Sequence, residues 1–537
     1  MDDPGVSSFG IAPGVGGDLS SIVSTRQGRL EGEIRRGVAC FRGIPFARPP
    51  IEALRFQPPE PPEPWPGVRQ ARAFGPSAPQ IGPVNRVIRG IIGAAGSRQS
   101  QDCLYLNVWT PKADGGRRPV MVWIHGGAFI LGSGSTALYS GSRLAKRGDV
   151  VVVTINYRLG AFGFLGWDGL GPDAKHTPAN LGLRDQIAAL VWVRENIEAF
   201  GGDPDDVTVF GESAGSMSIG ALLAIPAARD LFHKVILQSG AAHNISTPGK
   251  AAQVARTYLE ALGVEKAAPD DLRALSVTRI MEAQARTSVR VGLDDGMMAW
   301  QPCVDGDLMT ELPLTAIDRG DAADVPMLIG TNRDEYKLFT FADRDRLDDK
   351  QLVERVRRLV RRAGAEDESL VERLLGTYGP RTGERDPGAN QRWVALQSDR
   401  IFHYPATRLA DAHSDHQPQT YAYLFEWSPP LLGRALGACH GLELPFVFGS
   451  VRAGLLRAGL VADRAAGPLC DAMQDAWIAF ARTGRPEHDG LPEWPAYERR
   501  RRQTMSLGGR RGVIKDPHEG AREFWEPLIP DGEVSLG

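Results

Sequence analysis

Hydrophobic residues run through the middle of the chain in two alternating patterns. Continuous apolar runs of strand length occur at "RPVMVWIHGG" (118–127) and "DVVVVTINYRL" (149–159). An unbroken run is what a strand needs when both faces of a parallel sheet are covered. The pattern changes to helical spacing at "DQIAALVWVRENIEAF" (185–200). Strands follow at Val207, Val209 and Phe210, at "KVILQSG" (234–240), at "VPMLIGTN" (325–332) and at "QTYAYLFEW" (419–427), with a late helix at "CDAMQDAWIAFART" (470–483). This alternation predicts an α/β protein with a mostly parallel central sheet flanked by helices. "DDKQLVERVRRLVRRAG" (348–364) is basic, but Leu352, Val356, Leu359 and Val360 recur at helical spacing, so it reads as a solvated amphipathic helix. No repeat or low-complexity linker interrupts the body. One large domain over 22–537, with helical insertions, is expected after a Gly/Ser/Pro-rich tail at 1–21.

The strand ending at Phe210 runs into "VTVFGESAGSMSIG" (207–220), where Gly211, Ser213 and Gly215 form G-x-S-x-G. A serine in a sharp strand-to-helix turn has its hydroxyl pushed outward, and flanking glycines let the chain turn that tightly. The competing reading is a serine that caps the next helix. A nucleophile also needs a base, an acid to orient it and donors for an oxyanion.

Ten histidines are available as bases. In an α/β-hydrolase sheet the chain order is Ser, then Asp/Glu, then His, which sets aside His125, His176, His233 and His243. His413, His416, His488 and His518 lie in polar, surface-like stretches, and His403 could pack in a core. His440, in "ALGACHGLELPFVFG" (435–449), sits among small and apolar residues where a ring could project into a cleft or fill a core. For the acid, "LIGTNRDEYKLF" (328–339) offers Asp334 and Glu335 after a strand. "HGGAF" (125–129) could supply oxyanion donors through backbone N–H groups, or could be an ordinary Gly-Gly turn.

Composition narrows the function classes. A net charge of −3 and a pI near 6.4 leave no basic field for nucleic acid or an anionic membrane. No run approaches the roughly 18 apolar residues of a membrane span. The first residues, "MDDPGVSSFGIAPGVGGDLSS", lack the basic and apolar regions of a signal peptide. Five scattered cysteines (Cys40, Cys103, Cys303, Cys439, Cys470) without C-x-x-C spacing argue against a disulfide framework or a zinc site. Buried thiols, a cytoplasmic location, no metal and no cofactor are expected.

Together these stretches resemble the type-B carboxylesterase family from about Val23 to Pro530. "FRGIPFARPP" (41–50) is similar to its N-terminal motif and "DCLYLNVWTP" (102–111) to its second signature. "NLGLRDQIAALVWVRENIEAFGGDPDDVTVFGESAG" (180–215), "GTNRDE" (330–335) and "ACHGLELPFVFG" (438–449) follow in the family's order. The resemblance implies an α/β-hydrolase fold, with Ser213 as nucleophile, Glu335 as acid and His440 as general base. It further implies oxyanion donors at Gly127, Ala128 and Ala214, with Gly126 shaping the loop and Ser239 supporting the acid. Small to medium apolar esters would be cleaved through an acyl-enzyme. Carbamate or amide cleavage on the same residues is the alternative. A non-catalytic binding module is remote, because all three reactive residues are retained. A monomer or small homo-oligomer is expected, without nucleic-acid or membrane partners. The neutral imidazole base implies that kcat/KM rises with pH through one ionisation near about 6–7.

Three departures from the family pattern carry expectations of their own. Gln101 stands where the family has Glu, and would hydrogen-bond Arg55 without charge. Ala78 stands opposite Cys103, which leaves that thiol free. Tyr336 replaces a common Gly and would narrow the cleft. Separately, the Met297–Trp300 stretch could line a wall or equally fill the core.

Overall fold

The computed structural model describes residues 20–81, 98–174, 177–295, 298–340, 347–362, 367–380, 386–430, 433–452, 465–508 and 511–528. The expectations for His176 and Met297 lie outside them. One sheet contains thirteen strands. They are β1 (Ser20–Thr25), β2 (Gly28–Arg35), β3 (Val38–Pro45), β4 (Val68–Gln70), β5 (Tyr105–Thr110), β6 (Arg118–Ile124) and β7 (Val151–Ile155). After these come β8 (Gly202–Glu212), β9 (Lys234–Gln238), β10 (Met327–Asn332), β11 (Thr420–Phe425), β12 (Gln503–Leu507) and β13 (Gly512–Lys515).

The spatial order is β1-β2-β3-β5-β7-β6-β8-β9-β10-β11-β12-β13, with β4 beside β2. Strands β7-β6-β8-β9-β10-β11-β12 are parallel. Antiparallel strands extend the sheet at both ends. The apolar runs are buried on both sides, as parallel strands require. Val120, Val122 and Ile124 of β6 join one core cluster, while Met121 and Trp123 face the other. The fold is therefore that of an α/β-hydrolase. β1 begins at Ser20, two residues before the expected boundary, because Ser20 and Ser21 pair with Glu33 and Gly32.

Chain order reverses at β6, which has β7 on one side and β8 on the other. Such a reversal opens a crevice at the carboxyl ends of the strands. The loops after β6 and β8, carrying His125–Phe129 and Ser213, leave the sheet there. The large insertions also connect strands near this edge. Between β9 and β10 lie the helices Pro248–Leu262 and Val277–Asp295. Between β10 and β11 lie Asp349–Arg362, Glu368–Thr377, Ala389–Ser398 and Tyr404–Ser414. Leu352, Val356, Leu359 and Val360 of the basic helix pack against Trp393 and Trp525, as their spacing predicts.

Other expectations need correction. His413 is buried, its Nδ1 2.7 Å from Thr420 Oγ1, because its helix packs on β11. Of the two readings left open for Trp300, the core one holds: it packs against Tyr258, its Nε1 donating to Ser288 Oγ at 2.8 Å. Gln101 does not reach Arg55: among the described residues its buried Oε1 has no partner, and Arg55 donates instead to the carbonyls of Arg273 and Leu275. The cysteines, by contrast, are as expected: all five are buried free thiols, including Cys103.

The helix Ala214–Leu222 presses directly on β6. A Cβ added at Gly215 would meet the Ile124 carbonyl oxygen at 2.0 Å, and one at Gly211 would meet it at 2.8 Å. Gly215→Ala must therefore lift the helix off the sheet. We expect it to destabilise the protein by about 1–3 kcal/mol, read as a lower denaturation midpoint. An unchanged midpoint would contradict this packing.

Candidate active site

Ser213 follows the last residue of β8 and precedes the helix, with φ 55° and ψ −125°. A left-handed φ at a residue with a side chain is strained and marks a functional position. The turn is held by Ser213 N–H donating to Gln238 O at 2.9 Å and by Met217 N–H donating to Ser213 O at 2.9 Å. Its side chain is half-buried. Beside it, the loop after β6 also turns through positive φ, at Gly127 (117°), Ala128 (53°) and Phe129 (60°). His125 anchors that loop: its ring stacks on Tyr157, and Tyr157 Oη donates to the His125 carbonyl at 2.8 Å. Burial pushes the His125 imidazole down to about 4, so it is a neutral packing group. The N–H groups of Gly127, Ala128 and Ala214 have no acceptor among the described residues. Three free donors around one serine are what a developing oxyanion requires.

The loop after β10 turns Glu335 into the interior, where it is fully buried. Its Oε1 accepts from Ser239 Oγ at 2.5 Å and from Asn332 N–H at 2.7 Å. Its Oε2 lies 2.7 Å from His440 Nδ1. Asp334 points the other way, pairing with Lys337 at 2.9 Å and Arg333 at 2.8 Å. Of the two adjacent carboxylates, Glu335 is the one in contact with the imidazole. His440 is buried, with the rings of Phe402 and Phe339 at 4.7 and 5.3 Å. Phe402 and Phe339, not Tyr336, are the aromatic side chains against the imidazole; Tyr336 packs into the insertion's core.

His440 Nε2 lies 3.0 Å from Oε1 of Glu212, the residue before Ser213. Among the described residues no hydrogen bond joins it to the Ser213 hydroxyl. The structure therefore joins Glu335 to one nitrogen of the imidazole and sets the other on Glu212, the residue before Ser213. A third carboxylate, Glu443, is fully buried nearby and accepts from Gln238 at 3.0 Å and Asn332 at 2.6 Å. Burial alone would lower the His440 pKa; the Glu212 and Glu335 charges outweigh it and hold it above the ordinary 6.5. Burial in turn raises Glu212, against the pull of His440. The expected ionisation near 6–7 must therefore be moved upward. Glu212, Glu443, Asn332 and Phe402 escaped the reading of the sequence. Glu212 inside G-E-S, Asn332 inside "LIGTNRDEYKLF" and Glu443 inside "ALGACHGLELPFVFG" lay in segments already singled out; Phe402 did not.

A model of the carboxylesterase family matches residues 19–525. The chain is 40% identical to the para-nitrobenzyl esterase of Bacillus subtilis over 505 residues, covering 94% of this chain and 98% of that protein. It is 36% identical to the phenmedipham hydrolase of Pseudarthrobacter oxydans, over 89% of this chain and 92% of that protein. A solved para-nitrobenzyl (PNB) esterase structure superposes with a TM-score of 0.80 at 40% identity, covering 94% of this chain and 99% of the other. A Geobacillus stearothermophilus carboxylesterase gives 0.80 at 39% identity, over 94% and 99% of the two chains.

Replacing Glu212 by Gln removes a negative charge 3.0 Å from Nε2. His440 should then lose its proton at a lower pH. Imidazole NMR titration of wild type and Glu212→Gln checks this. An unmoved or raised midpoint would contradict the assigned electrostatics.

Proposed function

The chain belongs to the carboxylesterase family and is a carboxylic ester hydrolase; from that premise we propose that Ser213 is its nucleophile, His440 the general base and Glu335 the acid that orients it. Ser213 Oγ attacks the ester carbonyl carbon as His440 Nε2 takes its proton. The N–H groups of Gly127, Ala128 and Ala214 hold the negative charge on the former carbonyl oxygen. The imidazolium then protonates the departing alcohol. Water, deprotonated by the same nitrogen, cleaves the acyl-enzyme and restores the serine. The observation that carries this reading is the buried Glu335–His440 contact beside a strained serine and three free N–H donors.

For Nε2 to serve Ser213 it must exchange its Glu212 contact for the hydroxyl. The same reading makes 22–537 one domain, supported by all thirteen strands lying in one sheet. Among the described residues, no helix is long and apolar enough to cross a membrane. Aromatic walls at Phe339 and Phe402 support apolar acyl or alcohol groups of small to medium size. Likeness to phenmedipham hydrolase favours, as a second reading, carbamate cleavage on the same residues. Turnover of a phenyl carbamate that disappears in Ser213→Ala would establish it.

Ser213→Ala and His440→Ala should each lower kcat on p-nitrophenyl butyrate by about 10⁴-fold or more, and the double variant should be little worse than either. Strictly multiplicative losses would contradict a concerted unit. EDTA should leave the rate unchanged; loss in EDTA and recovery with zinc would overturn the metal-free reading.

The loop Gly126-Gly127-Ala128 keeps side chains away from the ester. A Cβ at Gly126 would stand 2.9 Å from Ser213 Cβ and 2.6 Å from the Glu212 carbonyl oxygen. The next large side chain, Phe129, is buried against Phe164 and does not enter that space. Tert-butyl acetate should therefore be hydrolysed. No turnover above the Ser213→Ala background, while n-butyl acetate is cleaved, would refute this.

A further inference from the structure

The insertion after β10 returns to the site through Asp399–His403, wound as a π-helix. Single π turns concentrate at functional positions. This one brings Asp399 and His403 together with His518 from near the end of the chain, their ligating atoms within 4.8 Å of one another. The spacing would suit a divalent metal, but the hydrogen bonding does not. His403 Nδ1 lies 2.6 Å from Asp399 Oδ1, and Nε2 lies 2.8 Å from the Asn332 carbonyl oxygen. An ionised carboxylate and a carbonyl are acceptors only, so both ring nitrogens carry a proton. An imidazolium has no lone pair for a metal. The His518 ring, moreover, stacks on His403 at 4.0 Å and 18°, which leaves no common in-plane point at metal–nitrogen distance.

Asn332 is the junction to the reacting groups. Its N–H donates to Glu335 Oε1 at 2.7 Å. Its side-chain amide donates to Glu443 Oε2 at 2.6 Å and to the carbonyl of Cys439, next to His440, at 2.8 Å. Its own carbonyl oxygen accepts a hydrogen bond from His403 Nε2. One residue before His403, the Phe402 ring lies 4.7 Å from His440. We propose that His403, held as an imidazolium by Asp399, is a positioning residue for ester hydrolysis: it pins Asn332 and so the Glu335 carboxylate that orients His440. This rests on the assignment of Glu335 and His440 above.

The groups around His403 agree with this state. Asp399 faces it from its own turn, His518 from the C-terminal segment, and Asn332 and Glu335 from the end of β10. Arg502 and Asp516 line the small cavity behind it. Burial would strip the His403 proton, and Asp399 together with the Asn332 carbonyl and Glu335 retains it. Burial, and then the His403 charge, push His518 down to about 3, so it stacks as a neutral ring. Its half-buried place corrects the expectation that it is exposed. His403 also supplies a positive charge on the Glu335 side of the buried carboxylates.

The test is steady-state kinetics with pH profiles for H403Q, H403R and D399N, with H440A alongside. H403Q and D399N should lower kcat by about 10–100-fold while KM stays within about twofold. With a nearby cation lost, the acid limb of kcat/KM in H403Q should move to higher pH, and the cationic H403R should move it back. A lower melting temperature with unchanged kcat and acid limb would reduce His403 to packing and overturn the proposal. Failure of both H403Q and D399N to accumulate as folded protein would do so too. If H440A is inactive and H403Q behaves as wild type, only this proposal falls. If H440A stays active, the assignment beneath it falls as well.

Discussion

A fully buried carboxylate, Glu335, is the constraint on which the site depends. A buried charge costs several kcal/mol unless it is paired and hydrogen-bonded. Glu335 has three partners, each from a different part of the sheet's edge: Ser239 after β9, Asn332 ending β10, and His440 on the loop that follows β11. Ser239 reaches it only by adopting φ 52°. Displacing any of these segments would strand the charge, so satisfying one carboxylate fixes the relative positions of three loops. The imidazole that results is held by its Nδ1 side, which leaves Nε2 directed toward the end of β8.

What that nitrogen meets is a second charge problem. Glu212, Glu335 and Glu443 surround a single imidazole in a region with little water. The field favours imidazolium, the species formed when a serine proton is taken, and so lowers the barrier to that step. It also holds a proton on the base at pH values where free imidazole would be neutral. Glu443 limits the conflict: burial and Glu335 raise its proton affinity, so it tends toward the neutral acid. The Asn332 amide and Gln238 give it donors. In the proposed reaction, stronger stabilisation of the imidazolium is exchanged for activity at low pH.

The parallel core was legible because burial on both faces writes itself as unbroken apolar runs; β6 to β11 stand where those runs stand. The N-terminal strands were not: β1 (SSIVST) and β2 (GRLEGEIR) carry few apolar residues, and Arg42 and Gly43 break the apolar run of β3 (VACFRGIP). Ser213 was visible because its turn demands glycines for packing against Ile124, a steric need that survives as a motif. Glu335 and His440 carried no such local demand. Their partners come from positions about 100 residues apart, so residue chemistry left Asp334 and Glu335 equivalent, and the ordered family motifs singled out one. Glu212 and Glu443 were missed for the same reason: a buried acid looks like any surface acid until its neighbours are known. His403 read as core, which is where it lies, but its two acceptors belong to residues 4 and 71 positions away.

The central claim is that Ser213 is the residue made nucleophilic by this arrangement. Reaction with a fluorophosphonate probe, followed by peptide mass spectrometry, tests it most directly. The account predicts one adduct, on the peptide containing Ser213, formed rapidly in wild type and at a strongly reduced rate in His440→Ala. Labelling at another serine, or equal labelling of Ser213 without His440, would contradict it.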